Sequence, residues 1–126
     1  MNKKAYFNKL TPEQYDVCFL KGTEPPGSGK YDKHFKKGVY KCVVCDNELF
    51  SSATKYDSGT GWPAFWDMAD PKAIMKSQDL SGGTIRKEVT CAKCGSHLGH
   101  VFNDGQKEKT GLRYCINSLS LRFTPL

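Results

Sequence analysis

The chain has 126 residues, enough for one domain with a modest core, and its 38% hydrophobic and 25% charged content is that of a soluble globular protein. The net charge of +6 fits an anionic partner, but the lysines (Lys3, Lys4, Lys21, Lys30, Lys36, Lys37, Lys72, Lys107) form no dominant run, so a solvated basic surface is the simpler reading. Residues 1–10 are basic without a signal-peptide apolar core, and no run reaches membrane-spanning length, so the expectation is an intracellular chain.

Thr11-Pro12-Glu13-Gln14 is a helix start: Thr11 caps, Pro12 suits the first turn, and Gln14 completes a capping box. Tyr15, Cys18 and Phe19 follow at i, i+3 and i+4, which puts Cys18 on or beside the buried face; Gly22 is the expected stop. Residues 1–9 are expected to be a flexible lead-in to a single domain over 1–126. Thr23 to Lys37, punctuated by Pro25-Pro26-Gly27 and Gly29, reads as an irregular arm tied to the body.

From Gly38 the pattern turns to strands: Val39–Val43, Glu48–Phe50, Ile85–Cys91 and Leu98–Phe102, with a weak stretch around Asp70-Pro71 and Ser81-Gly82-Gly83. Asp57 to Trp66 is a Gly-rich loop entering an aromatic cluster. Near the end, Leu112, Tyr114 and Ile116 take one face of a strand, and Arg113, Cys115 and Asn117 the other. Apolar parity is even up to Ile116 and odd through Leu119, Leu121 and Phe123. A period of two cannot switch parity without a bulge or bend, here at Asn117-Ser118.

Six cysteines need an account. Cys42-x-x-Cys45 and Cys91-x-x-Cys94 are two knuckles of the kind that give zinc a closed thiolate tetrahedron, a structural site with no position open for substrate. Two dithiol redox pairs or an iron–sulfur cluster are alternatives, the former lacking the usual βαβ context. Lys41 and Lys93 help offset the thiolate charge. Cys115, beside Arg113 and Asn117, is either a small buried hydrophobe or a nucleophile whose pKa the Arg lowers. His97 and His100 stand just upstream, and Trp62 is flanked by Gly59, Gly61 and Pro63.

The chain resembles the B-type methionine sulfoxide reductases, which act on the R epimer. The matching blocks are Gly22-Thr23-Glu24, the two knuckles, Ser58-Gly59-Thr60-Gly61-Trp62-Pro63, His97-Leu98-Gly99-His100-Val101-Phe102-Asn103-Asp104-Gly105 and Gly111 to Ser118, in family order from about residue 10 onward. The resemblance implies a mainly β fold of two facing antiparallel sheets with short N-terminal helices and one structural zinc ion on Cys42, Cys45, Cys91 and Cys94. It implies Cys115 as nucleophile, His97, His100, Arg113 and Asn117 around it, and Trp62, Phe102 and Asp104 as substrate-binding. It further implies a sulfenic acid on Cys115, oxidised proteins as substrate, thioredoxin as reductant, and a cytoplasmic, monomeric protein without a nucleic-acid or membrane partner. Many members carry a resolving Cys where this chain has Thr60, so Cys18 is the proposed resolving thiol, with direct reduction by an external thiol as the alternative. A zinc-bearing interaction module and a nucleic-acid-binding zinc domain are competing readings.

Overall fold

The structure, a computed structural model, describes residues 10–80 and 83–126; the expectation for residues 1–9 lies outside them. One α-helix stands among the described residues, α1 (Pro12–Leu20). Its capping box is formed as expected: Thr11 Oγ1 accepts from the Gln14 N–H at 3.1 Å, and the Gln14 side chain accepts from the Thr11 N–H at 2.9 Å. The stop comes one residue before Gly22, because Lys21 itself turns left-handed at φ 59°. Val17 and Cys18 form the buried face, with α1 packed on the third-from-last strand and the last 3-10 turn. No helix among the described residues is long and apolar enough to cross a membrane.

Nine strands follow among the described residues: β1 (Gly38–Cys42), β2 (Glu48–Ser51), β3 (Lys55–Tyr56), β4 (Ala64–Phe65), β5 (Ile74–Asp79), β6 (Arg86–Cys91), β7 (His97–Phe102), β8 (Arg113–Ile116) and β9 (Leu121–Pro125). They form two antiparallel sheets, β2-β1-β9 and β3-β4-β8-β7-β6-β5. Aromatic contacts run from one sheet to the other. Phe50 stacks on Phe65 with centroids 4.4 Å apart, Tyr40 meets Phe65 edge-on at 5.2 Å, and Phe50 lies 5.7 Å from Tyr114. All four are fully buried, so the sheets face one another across an aromatic core. The expected mainly β fold of two facing sheets is therefore what forms.

Two strand features bear on the site. The parity break after Ile116 is a 3-10 turn, Ser118–Ser120, through which the chain leaves the large sheet (β8) and enters the small one (β9). The apolar face changes parity because the chain changes sheets. The arm at 23–37 is tied down as expected: Gly27 N–H donates to the Gly61 carbonyl (2.7 Å), Tyr31 N–H to Ser118 Oγ (3.2 Å), and Lys55 Nζ to the Asp32 carbonyl (3.0 Å).

Candidate active site and metal centre

The register sets the site. On the large sheet Cys115 of β8 stands directly opposite His100 of β7 and Ala64 of β4. Tyr114 and Ile116 are buried in the inter-sheet core, so by alternation Cys115 looks out from the opposite face. β7 and β8 come close because position 99 is glycine: a Cβ there would lie 2.0 Å from the Cys115 carbonyl oxygen. A cavity of about 110 Å³ opens over the thiol, lined by Cys115, His100, Trp62, Phe102, Asn117, Gly99, Thr23 and Arg86. Five of the residues expected from the sequence thus converge.

The arm fixes two of them. Trp62 Nε1–H donates to the Glu24 carbonyl at 2.9 Å, and the Glu24 N–H donates to Asn117 Oδ1 at 3.0 Å. Asn117 Nδ2–H reaches the Leu98 carbonyl at 3.0 Å. Residue 24 is therefore the joint between the aromatic wall and the amide. Its side chain is buried and accepts from the Leu119 N–H (2.9 Å), and burial pushes its carboxyl above the usual range. Gly61, at φ 95°, brings the Trp62 loop onto Pro26 and Gly27, where a Cβ would sit 2.7 Å from the Pro26 side chain.

The histidines are held by carboxylates that sequence reasoning missed. His100 Nε2 lies 2.7 Å from Asp79 Oδ2, and Arg86 Nη2 lies 3.6 Å from the same oxygen. A carboxylate only accepts, so Nε2 carries the proton and Nδ1 is the nitrogen free to act. His97 Nδ1 lies 2.7 Å from Glu88 Oε2, whose other oxygen pairs with Lys21 Nζ at 3.3 Å. His97 does not line the cavity; it is buried beside His100, with ring centroids 5.5 Å apart, and burial lowers its pKa. A buried Glu88 on β6 was legible only as a charge between Lys87 and Val89. No local signal marks its partner.

Arg113 and Asp104 stand at the edge, lining a neighbouring cavity with Thr60. Arg113 grips Asp104 through Nε (2.9 Å) and Nη2 (3.1 Å), and its guanidinium lies over the Phe102 ring at 4.4 Å. Arg113 does pull the Cys115 thiol pKa down, as expected, but a larger effect opposes it. Burial pushes it up, and this outweighs the Arg113 charge and the hydrogen bonds from Thr60 and Arg113 that pull it down. Part of the Arg113 field is spent on Asp104.

Cys18 does not line the cavity over Cys115. It is 2% exposed and belongs to the hydrophobic core cluster. Burial, with the nearby Cys94 and Cys91, pushes its pKa up to about 12. Thr60, at the position where many members carry the resolving Cys, acts to lower the Cys115 pKa.

The four knuckle cysteines do converge. Their sulfurs lie within 4.8 Å of one another, with Cys42 to Cys94 and Cys45 to Cys91 both 3.6 Å apart, and such a group could hold a metal ion. Each knuckle folds alike, with Asp46 N–H on the Cys42 carbonyl and Gly95 N–H on the Cys91 carbonyl. Hydrogen bonding among the clustered sulfurs pushes the Cys42 pKa up and the Cys91 pKa down. Asn47 Nδ2 (3.6 Å from Cys91 Sγ) and Ser96 Oγ (3.3 Å from Cys42 Sγ) form an outer layer.

A family profile described as the SelR domain matches residues 10–125, covering both sheets, the thiol cavity and the knuckles. The chain belongs to the SelR family. It is 58% identical over 116 residues to the peptide methionine sulfoxide reductase MsrB of Pseudomonas syringae pv. syringae (92% of this chain, 88% of that protein). It is 56% identical to the MsrB of Pseudomonas putida strain W619, over 92% of this chain and 86% of that one. The mitochondrial methionine-R-sulfoxide reductase B3 of Mus musculus is 55% identical over 117 residues, which are 93% of this chain and 46% of the mouse protein. The SelR match bears out the resemblance to B-type methionine-R-sulfoxide reductases.

Proposed function

We propose that this SelR chain is a peptide-methionine (R)-S-oxide reductase, one domain that reduces methionine-R-sulfoxide in oxidised proteins, with Cys115 as its nucleophile. The observation that supports this most is Cys115 in register with His100 beneath a small cavity walled by Trp62 and Phe102. Cys115 Sγ attacks the sulfoxide sulfur, and the oxygen passes to Cys115. The thiol proton ends on that oxygen, so a thiol and a sulfoxide become a sulfenic acid and a thioether. His100, its Nε2 tied to Asp79, offers Nδ1 for that proton transfer. Arg113 stabilises the attacking thiolate, Asp104 holds Arg113, and Asn117 and Trp62 shape the cavity through Glu24. His97 acts from beneath by packing on His100.

Two thiols of an external reductant of the thioredoxin type then return Cys115 to the thiol, releasing water and a disulfide. This takes the place of the Cys18–Cys115 disulfide expected from the sequence, because Cys18 is buried and its thiol pKa is pushed up to about 12. The knuckles hold one structural zinc ion. A Zn–S bond of about 2.3 Å in a tetrahedron places sulfurs about 3.8 Å apart, close to the 3.6 Å pairs. The ion joins β1 and β6 and takes no part in the chemistry. The protein acts as a cytoplasmic monomer.

The test is a parallel assay of R and S epimers with wild type and Cys115→Ser. Turnover of R alone, lost in the Ser variant while fold and metal content are kept, is expected; equal turnover of both epimers, or activity surviving the substitution, refutes the assignment. After one turnover without reductant, mass spectrometry should find a dimedone-trapped Cys115 sulfenic acid with Cys18 free. A Cys18–Cys115 disulfide would restore the internal route.

A further inference from the structure

Two cavities lie on the Cys115 face of the large sheet, one on each flank of Cys115. Cross-strand partners share a face, and the row Tyr56, Ala64, Cys115, His100 runs across β3, β4, β8 and β7. The thiol cavity takes the β7 side of this row, with His100, Gly99, Phe102 and Arg86. A second cavity, of about 440 Å³, takes the β3 and β4 side, where Tyr56, Ser58, Thr60 and Arg113 line it. The loop after β7 closes it with Asp104 and Gln106, and the ion pair between Arg113 and Asp104 fixes that loop. Thr60 and Arg113 stand beside the sulfur, since both pull the Cys115 pKa down.

The first half of the reaction leaves a sulfur that must be attacked from one direction. The sulfoxide enters the thiol cavity, so the oxygen it gives to Cys115 lies on the β7 side, with His100. An incoming thiolate donates into the S–O antibonding orbital and comes from the side opposite the oxygen. That side is the β4 flank, where the second cavity lies. Its lining is polar: a phenol, two hydroxyls, an amide, a guanidinium and carboxylates supply both donors and acceptors. Burial pushes the Tyr56 phenol above its ordinary range, which keeps it a donor. Such a wall complements the amides of a peptide main chain.

We propose that this polar cavity docks a cysteine-bearing peptide segment of the external reductant, which attacks Cys115 from the β4 flank while the sulfoxide uses the β7 flank. The proposal rests on the reductase reading above and gives its reductant a place and a chemistry. An S–S bond forms between the reductant sulfur and Cys115 as the S–OH bond breaks, and the reductant's thiol proton ends on the departing oxygen as water. A second thiol of the reductant then opens the mixed disulfide. Cys115 returns as the thiol, and the two reductant sulfurs leave oxidised as a disulfide.

The experiment separates the two half-reactions. One turnover of N-acetyl-methionine-R-sulfoxide amide converts Cys115 to the sulfenic acid. Its decay is then followed with N-acetyl-Gly-Cys-Gly amide or with mercaptoethanol, at equal thiolate concentration. The wild type should react about ten-fold faster with the peptide, the worth of one or two hydrogen bonds. Gln106 is half-buried in the cavity wall, so Gln106→Trp fills the space and should abolish that advantage, with the methionine formed in the first turnover unchanged. Tyr56→Phe keeps the ring, removes the donor and should reduce the advantage. A wild-type ratio near one, or a ratio kept in both variants, overturns the docking site. Absence of methionine from the wild type in the first turnover would sink the reductase reading itself, and the docking site with it.

Discussion

Cys115 poses a conflict between reach and reactivity. Its position under Trp62 and Phe102 removes water from the sulfur, and the same burial holds the proton on it. With the pKa raised, the thiolate fraction is small at neutral pH and grows as pH rises. Alkylation of Cys115 by iodoacetamide should therefore still be accelerating above about pH 8.5, where an ordinary thiol begins to level. Arg113→Ala removes the main force lowering that pKa, so its alkylation curve should shift to still higher pH. A curve that levels below about pH 7 in the wild type would contradict this. Thr60, near enough to the sulfur to lower its pKa, gives a second residue-level expectation. Thr60→Cys should yield a disulfide between the introduced thiol and Cys115 after one turnover without reductant, seen as a loss of two free thiols by mass spectrometry. At this scale the sequence was informative about which residue types meet: the strand face of Arg113, Cys115 and Asn117 and the two histidines were all readable. Asp79, Arg86 and Glu88 were not, because a buried charge is recognisable only from the partner that neutralises it, and those partners sit on other strands.

Elements were legible where one face was buried and the other wet. The capping box and the strands at 38–42, 48–51, 86–91, 97–102 and 113–116 carry that signal. β5 does not: Met75, Lys76, Ser77 and Gln78 are all exposed on the sheet edge, so no alternation marks it. β3 and β4 are two residues each, too short for any period. The cap itself can be weighed. Thr11→Ala removes the acceptor for Gln14 N–H and should cost about 1 kcal/mol, read from urea unfolding. Because α1 packs on β7 and the Ser118–Ser120 turn, the loss should appear in global stability rather than as local fraying.

Across the whole molecule, the two sheets are joined by aromatic rings on one side and by the four cysteines on another. Phe65 touches both Tyr40 and Phe50 of the small sheet. Phe65→Ala should lower unfolding free energy by about 3–5 kcal/mol, with the denaturant slope unchanged. The knuckles connect β1 to β6, strands of different sheets, so metal removal acts on the same interface. Cys45→Ser should lose the metal by elemental analysis and lower the melting temperature, while leaving the R-over-S preference of whatever protein remains folded. The sequence signalled the sheets only as strands in order. Which strands pair, and that β9 crosses to β1, depends on contacts between residues far apart in the chain, where no local pattern reaches.

That crossing sets when the protein can become active during synthesis. β1 pairs with β9, Gly38 opposite Pro125, and the turn leading into β9 begins beside Asn117. The small sheet cannot close, and Asn117 cannot take its place against Glu24, until β9 has left the ribosome. A growing chain that still lacks β9 therefore carries Cys115 without the completed cavity around it.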